Sequence, residues 1–193
     1  DAIETFAWET ISPKHGDMVL NADMSESAIK EVQDKFTENK IRMVGYYSNA
    51  LGKDEKADRK MFEFLKKLGV RYIVAEPEAK SLEAIDKLAE EFKIRVAIHN
   101  HPKDEKNADY KNWDPEAVMK MLEGRSRYMG CCADNGHWTR SGLDGVEMIK
   151  KYKGRLISIH LKDINEVGPK AHDVPYGTGV VKLKDLLTAV KEQ

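Results

Sequence analysis

An α/β fold of alternating strands and helices is predicted by three features of the sequence. Short apolar, β-branched runs recur along its 193 residues. Each run is followed by a segment with one apolar stripe at helical spacing. Strand follows strand only across such a helix, which makes the strands parallel and buries them between helices.

The elements follow in order. The opening strand is Ala2–Trp8. A helix over Ser25–Asn39 carries Ile29, Val32 and Phe36 on one side, and the next strand is Ile41–Tyr47. A helix over Asp54–Leu68 carries Met61, Phe62, Leu65 and Leu68, and Gly69 stops it. Strand Arg71–Glu76 leads to a helix over Ser81–Phe92 with Leu82, Ile85, Leu88 and Ala89. Strand Ile94–Asn100 comes next. Asp114 is placed as N-cap of the following helix, with Pro115 in its first turn and Gly124 past its end. Strand Tyr128–Asp134, helix Leu143–Tyr152, strand Arg155–Leu161 and helix Lys182–Lys191 complete the chain.

Six such units suit either a doubly wound sheet or a (β/α)₈ barrel. A doubly wound sheet usually shows a glycine-rich turn after an early strand. The only Gly-x-Gly, Gly177-Thr178-Gly179, lies near the C-terminus. A barrel usually takes about 250 residues and eight strands, and six strands are read here. The abrupt start DAIETFAW already reads as a strand.

Composition narrows the function classes. The hydrophobic fraction of 41% supports a sizeable core, and the charged fraction of 34% is balanced to a net charge of −1. That balance argues against a nucleic-acid or membrane-surface partner, which wants a basic face. No run approaches the roughly 20 apolar residues of a membrane span, and no secretory signal opens the chain. A cytoplasmic protein is expected. The two cysteines, Cys131 and Cys132, are sequence neighbours, and a disulfide between neighbours is strained. They read as small strand fillers, one facing the barrel interior and one the helices.

Both architectures place their sites at the C-terminal ends of the strands. Four strands end on groups that carry chemistry. One ends in Glu76, and the next in His99, Asn100 and His101. Another ends in Asp134 with His137 beyond it, and the last in His160 with Lys162 and Asp163 beyond it. Aspartate and glutamate are poor strand residues, and burying them without partners is costly. Several converging on one mouth would repel unless a cation sat among them. Mixed oxygen and imidazole donors suit Mn²⁺, Mg²⁺, Co²⁺ or Zn²⁺. His15 reads as a surface loop residue, and His172 as either surface or substrate contact.

In this order, Glu-Pro after RYIVA, His-Asn-His-Pro, Asp-x-Gly-His-Trp, His-x-Lys-Asp and Gly-Thr-Gly resemble the sugar phosphate isomerase/epimerase family of xylose-isomerase-like TIM barrels. The likeness covers nearly the whole chain. It implies one (β/α)₈ TIM-barrel domain over residues 1–193, truncated to about six βα units, with the first and eighth strands missing. It implies a divalent ion, manganese first, with Mg, Co and Zn as alternatives. Three of its ligands then fall on Glu76, Asp134 and His160. The family's last ligand is a glutamate on the eighth strand, and Glu192, in a helix, is no substitute for it. An open six-stranded sheet would need a partner for its edges, such as a second copy.

The implied activity is isomerisation or epimerisation of a sugar or sugar phosphate by proton transfer next to a carbonyl through an enediolate, with Glu76, His137 and Lys162 at the reacting centre. His99, His101, His137, Trp138 and Lys162 are the implied substrate contacts. The general base stays open. Trp8, Trp113 and Glu4 are further candidates for the pocket. The segment Asp163–Val180 reads as a lid, and Gly177-Thr178-Gly179 as a phosphate cradle. A keto-sugar or inosose dehydratase on the same metal is the runner-up. A non-catalytic sugar-binding protein and a DNA-repair endonuclease are the remaining readings.

Overall fold

The computed structural model describes residues 1–193. It contains β1 (Ala2–Phe6), α1 (Glu26–Glu38), β2 (Arg42–Tyr47), α2 (Glu55–Lys67), β3 (Tyr72–Ala75), α3 (Leu82–Phe92) and β4 (Arg95–His99). It continues with α4 (Pro115–Met121), β5 (Met129–Asp134), α5 (Asn135–Arg140), α6 (Gly145–Lys151), β6 (Leu156–His160), β7 (Asp163–Ile164), β8 (Asp173–Val174) and α7 (Leu183–Lys191). Strand order in the main sheet is β1-β2-β3-β4-β5-β6, the order of the chain. A doubly wound sheet reverses its strand order at a switch point. The order here never reverses, which is the topology of consecutive βα units of a TIM barrel.

Two compact units divide the chain, Asp1–Val96 and Ala97–Gln193. In the first, β1 pairs in parallel with β2, and β2 with β3. The helices start where the sequence places caps. The Ser25 hydroxyl accepts the Ala28 N–H at 3.3 Å, and the Asp54 carboxylate accepts the Ala57 N–H at 2.8 Å. Each satisfies one of the orphan donors of a first turn. Phe62 and Leu65 of the α2 stripe and Ile85 of the α3 stripe are fully buried, as are Ile73 and Val74 of β3. A bidentate Arg59–Glu91 pair at 2.6 and 2.7 Å joins α2 to α3.

In the second unit β5 pairs in parallel with β6, and the register sets Asp134 beside His160. Leu122, Met129, Trp138, Ile149 and Tyr152 fill its core. The Asp114 carboxylate caps α4 by accepting the Glu116 N–H at 3.0 Å, ahead of Pro115 as predicted.

Three local expectations are refined. Asn135–Arg140, for which the sequence predicts no element, forms α5; six residues are too few to show a helical period. The segment Asp163–Val180, read as a long lid loop, holds a short antiparallel ribbon of β7 and β8. His15 is not a free surface residue. Its ring lies 3.0 Å from Glu31, and its side chain is only 19% exposed. No helix is long and apolar enough to cross a membrane.

Candidate active site

In the first unit, Glu76 directly follows β3 and is half-buried. The Tyr47 hydroxyl donates to its carboxylate at 3.3 Å. Tyr47 also packs against Phe6 and Trp8, with ring centres 5.6 and 5.5 Å away. Trp8 is 52% exposed, an unusual placement for so large an apolar ring.

The second unit gathers the remaining predicted residues around Asp134, which is 1% exposed. Its two carboxylate oxygens have different tasks. Oδ1 accepts the His137 N–H at 2.9 Å and so caps α5. Oδ2 faces the ring nitrogens of His137, His99 and His160 at 3.5, 3.7 and 3.8 Å. The Lys162 ammonium approaches Oδ2 to 2.9 Å. That approach is an ion pair without hydrogen-bond geometry, so Oδ2 is a buried carboxylate oxygen with no hydrogen bond. Such an atom costs free energy unless a cation offsets it; the Lys162 ammonium supplies one charge, and the facing imidazoles leave the oxygen able to share a metal ion.

Burial alone would raise the Asp134 pKa. The His99 imidazole, His137 and the Lys162 ammonium outweigh it and hold the carboxyl well below the usual range. His137 is pushed down to about 3, first by burial and then by Lys162, His101 and His99, against the pull of Asp134. It is therefore a neutral imidazole at physiological pH.

Two asparagines fix the frame. The Asn100 side chain donates to the Asp134 carbonyl and accepts its N–H, at 3.0 and 2.8 Å. The Asn135 side chain does the same for Lys162, at 2.7 and 2.8 Å. Lys162 then passes over Gly136, where a Cβ would lie 2.7 Å from Lys162 Cδ. The strand-end pattern does not single out Asn135 and Gly136, and marks Asn100 only as a strand end; the available signal is an asparagine directly behind β4 and behind β5.

Other expectations change. Trp138 is no wall for a sugar ring: it is fully buried against Tyr152, and its indole N–H donates to the Trp113 carbonyl at 3.1 Å. His101 is exposed at the rim, with its ring 4.9 Å from that of His137. His172 is exposed, and its backbone N–H donates to Asn165 at 2.8 Å. Gly177-Thr178-Gly179 is no phosphate cradle. The Gly177 and Gly179 N–H groups already donate to Asp163 Oδ2 at 2.8 and 2.9 Å, and a Cβ on Gly179 would strike the Asp163 carboxylate. Cys132 is more than a filler: its sulfur is within 4.8 Å of ring nitrogens of His99 and His160. Cys131 is a buried free thiol whose pKa burial pushes up.

Consecutive parallel strands in chain order, with polar groups gathered at their C-terminal ends, are features of the TIM-barrel class. The chain belongs to the xylose isomerase-like TIM barrel family, which residues 1–193 match throughout. It is 32% identical over 88 residues to an inosose dehydratase of Clostridium tetani (strain Massachusetts / E88), across 46% of this chain and 28% of that protein. The match thus spans under a third of that relative's length. Among solved structures it is similar to a D-tagatose 3-epimerase-like protein, at 18% identity and a TM-score of 0.75, over 100% of this chain and 78% of that one. It is also similar to an IOLI protein solved with a zinc atom, at 21% identity and a TM-score of 0.71, over 100% and 75%.

Proposed function

We propose that this chain carries the catalytic site of a divalent-metal-dependent sugar or keto-sugar isomerase/epimerase that moves a proton next to a carbonyl. The observation that carries the reading is Asp134 Oδ2, a buried, ionised oxygen that makes no hydrogen bond and is faced by imidazole nitrogens and the Lys162 ammonium. Carboxylate and imidazole donors fit a divalent ion. Asp134 and His160 would hold it, and Glu76 is assigned with them on the family resemblance. When bound, the ion supplies Lewis-acid polarisation of a carbonyl and its neighbouring hydroxyl.

The chain's own residues do the rest. His137, neutral, offers a ring N–H or lone pair to a substrate oxygen without competing for the cation. Lys162 brings positive charge to where negative charge develops on the substrate. Its backbone is fixed by Asn135, so little rearrangement is needed at the moment of reaction. His101 lines the exposed rim. The substrate is a small carbohydrate, and manganese and zinc are both candidate ions.

The dehydratase reading shares the same site and is favoured by the inosose dehydratase match. Product mass separates the two. A product isobaric with its substrate supports proton transfer alone, and a product lighter by one water establishes the lyase. Elemental analysis tests the site itself: Asp134→Ala and His160→Ala should each lose the bound metal. Full metal content in both variants sinks the reading.

A further inference from the structure

We infer that His99 is a metal ligand, acting with Asp134 and His160, and that the site selects a zinc-like ion. The inference rests on the metal reading above and deepens it. The sequence places His99 among the substrate contacts. The geometry places it elsewhere.

His99 Nε2, Asp134 Oδ2 and His160 Nδ1 form a triangle with edges of 3.1, 3.7 and 3.8 Å. A point in its plane lies about 2.1 Å from all three corners, the length of a zinc–imidazole or zinc–carboxylate bond. Any three atoms share such a point; what matters is its distance, because donors spaced more widely could not all reach one ion at bonding length. The register explains the arrangement. Asp134 and His160 are paired neighbours on β5 and β6, and His99 ends β4, the next strand on the other side. Each donor comes from a strand end, and His99 and Asp134 are almost wholly buried. Their positions are therefore set by the sheet rather than by mobile loops.

His99 also belongs to the other donor groups of this unit, with Asp134 and His137, and with Cys132 and His160. An ion shifting within the cluster would keep His99 in every one of these arrangements. Two imidazoles and one carboxylate form a donor set of intermediate softness, and the Cys132 sulfur beneath adds a thiol to the same wall. Such a set favours Zn²⁺ or Co²⁺ over Mg²⁺, which prefers oxygen. Three protein donors would leave a tetrahedral ion its fourth position for a substrate oxygen.

The test compares His99→Gln with Asp134→Ala and His160→Ala. Zinc affinity is measured by competition with a chromophoric chelator, and folding by circular dichroism. His99→Gln should weaken zinc binding by more than about 100-fold, beyond the 10- to 100-fold typical of residues that only support a ligand. Cobalt loaded in its place should show a changed visible spectrum. Unchanged affinity and spectrum in His99→Gln, with metal lost from the other two variants, overturns this inference and leaves the metal reading standing. Metal retained in Asp134→Ala and His160→Ala overturns the metal reading itself. Should His99→Gln fail to fold, X-ray absorption of the zinc-loaded wild type decides: two or more imidazoles are expected, and a single one refutes the assignment.

Discussion

Asn100 grips Asp134 by both of its backbone polar groups, with one hydrogen bond of 3.0 Å and one of 2.8 Å. The residue after β4 thereby fixes the last residue of β5. Asn135 repeats the device one strand on, holding Lys162 behind β6. Asn100 and Asn135 are both fully buried, so neither clamp is exchanged for water. Asn100→Ala would strand two buried backbone groups, at about 1–3 kcal/mol each. The expected outcome is a loss of about 2–4 kcal/mol in urea denaturation, with metal affinity falling alongside. Asn100→Asp keeps one acceptor and should lose less stability, but it brings a second buried carboxylate beside Asp134. A variant with unchanged stability would mean the clamp is not part of the folded frame.

Lys162 and Gly136 provide a second prediction. The lysine stem lies where any side chain at position 136 would sit. Gly136→Ala should push the flexible stem aside and move the ammonium off Asp134 while the core stays folded. Lys162→Met removes the charge and keeps the stem. Because an ammonium and a metal ion repel at the same oxygen, Lys162→Met should bind zinc at least as tightly as the wild type yet turn over far more slowly, by about 100-fold or more. Isothermal titration and steady-state kinetics check both halves. Weaker zinc binding in Lys162→Met would show that the lysine supports the ion rather than the substrate.

Much of this was legible in the sequence, for identifiable reasons. The strands announced themselves because apolar runs stopped abruptly at Glu76, His99, Asp134 and His160, and a buried parallel strand has little other reason to stop on such groups. The caps Ser25, Asp54 and Asp114 were readable because their effect is local. What depended on register was not readable. Nothing in the spacing says that His99 and His160 flank one oxygen, or that Asp134 divides its two oxygens between a helix cap and the cluster. Asn100 and Asn135 looked like ordinary turn residues. Gly177-Thr178-Gly179 looked like an anion cradle because its occupant, Asp163, lies 14 residues upstream of the first glycine. Trp138 looked like a wall because it follows a site histidine, but on α5 it points into the core.

Trp8 yields a third prediction. Half-exposed, and braced by Phe6 and by the Tyr47 that also contacts Glu76, it offers an apolar plane. Its removal should cost about 2–3 kcal/mol, because roughly half of so large a ring is buried, while leaving the protein folded. If it receives the substrate, Trp8→Ala should raise KM by about tenfold with a smaller change in kcat, corresponding to about 1.4 kcal/mol of binding. Equal kinetics in the two proteins would remove Trp8 from the substrate contacts.

Asp163 yields a prediction in pH. Burial alone would raise its pKa, but the N–H groups of Gly179, Gly177, Val181 and Ile164 all donate to it and together hold it below the ordinary range. Its folded-state pKa is thus lower than its unfolded value of about 3.9. A group of this kind contributes stability that is complete above the unfolded pKa. The contribution is lost as pH falls from there through the folded value. Asp163→Asn removes the charge and turns an amide NH₂ toward backbone donors, which should cost about 3 kcal/mol at pH 7. The stability gap between wild type and variant should therefore be widest at neutral pH and narrow below about pH 4. Urea midpoints at pH 7 and pH 3 measure it. A gap of the same size at both would mean that Asp163 stabilises its loop by shape and neutral hydrogen bonds, with its charge contributing nothing.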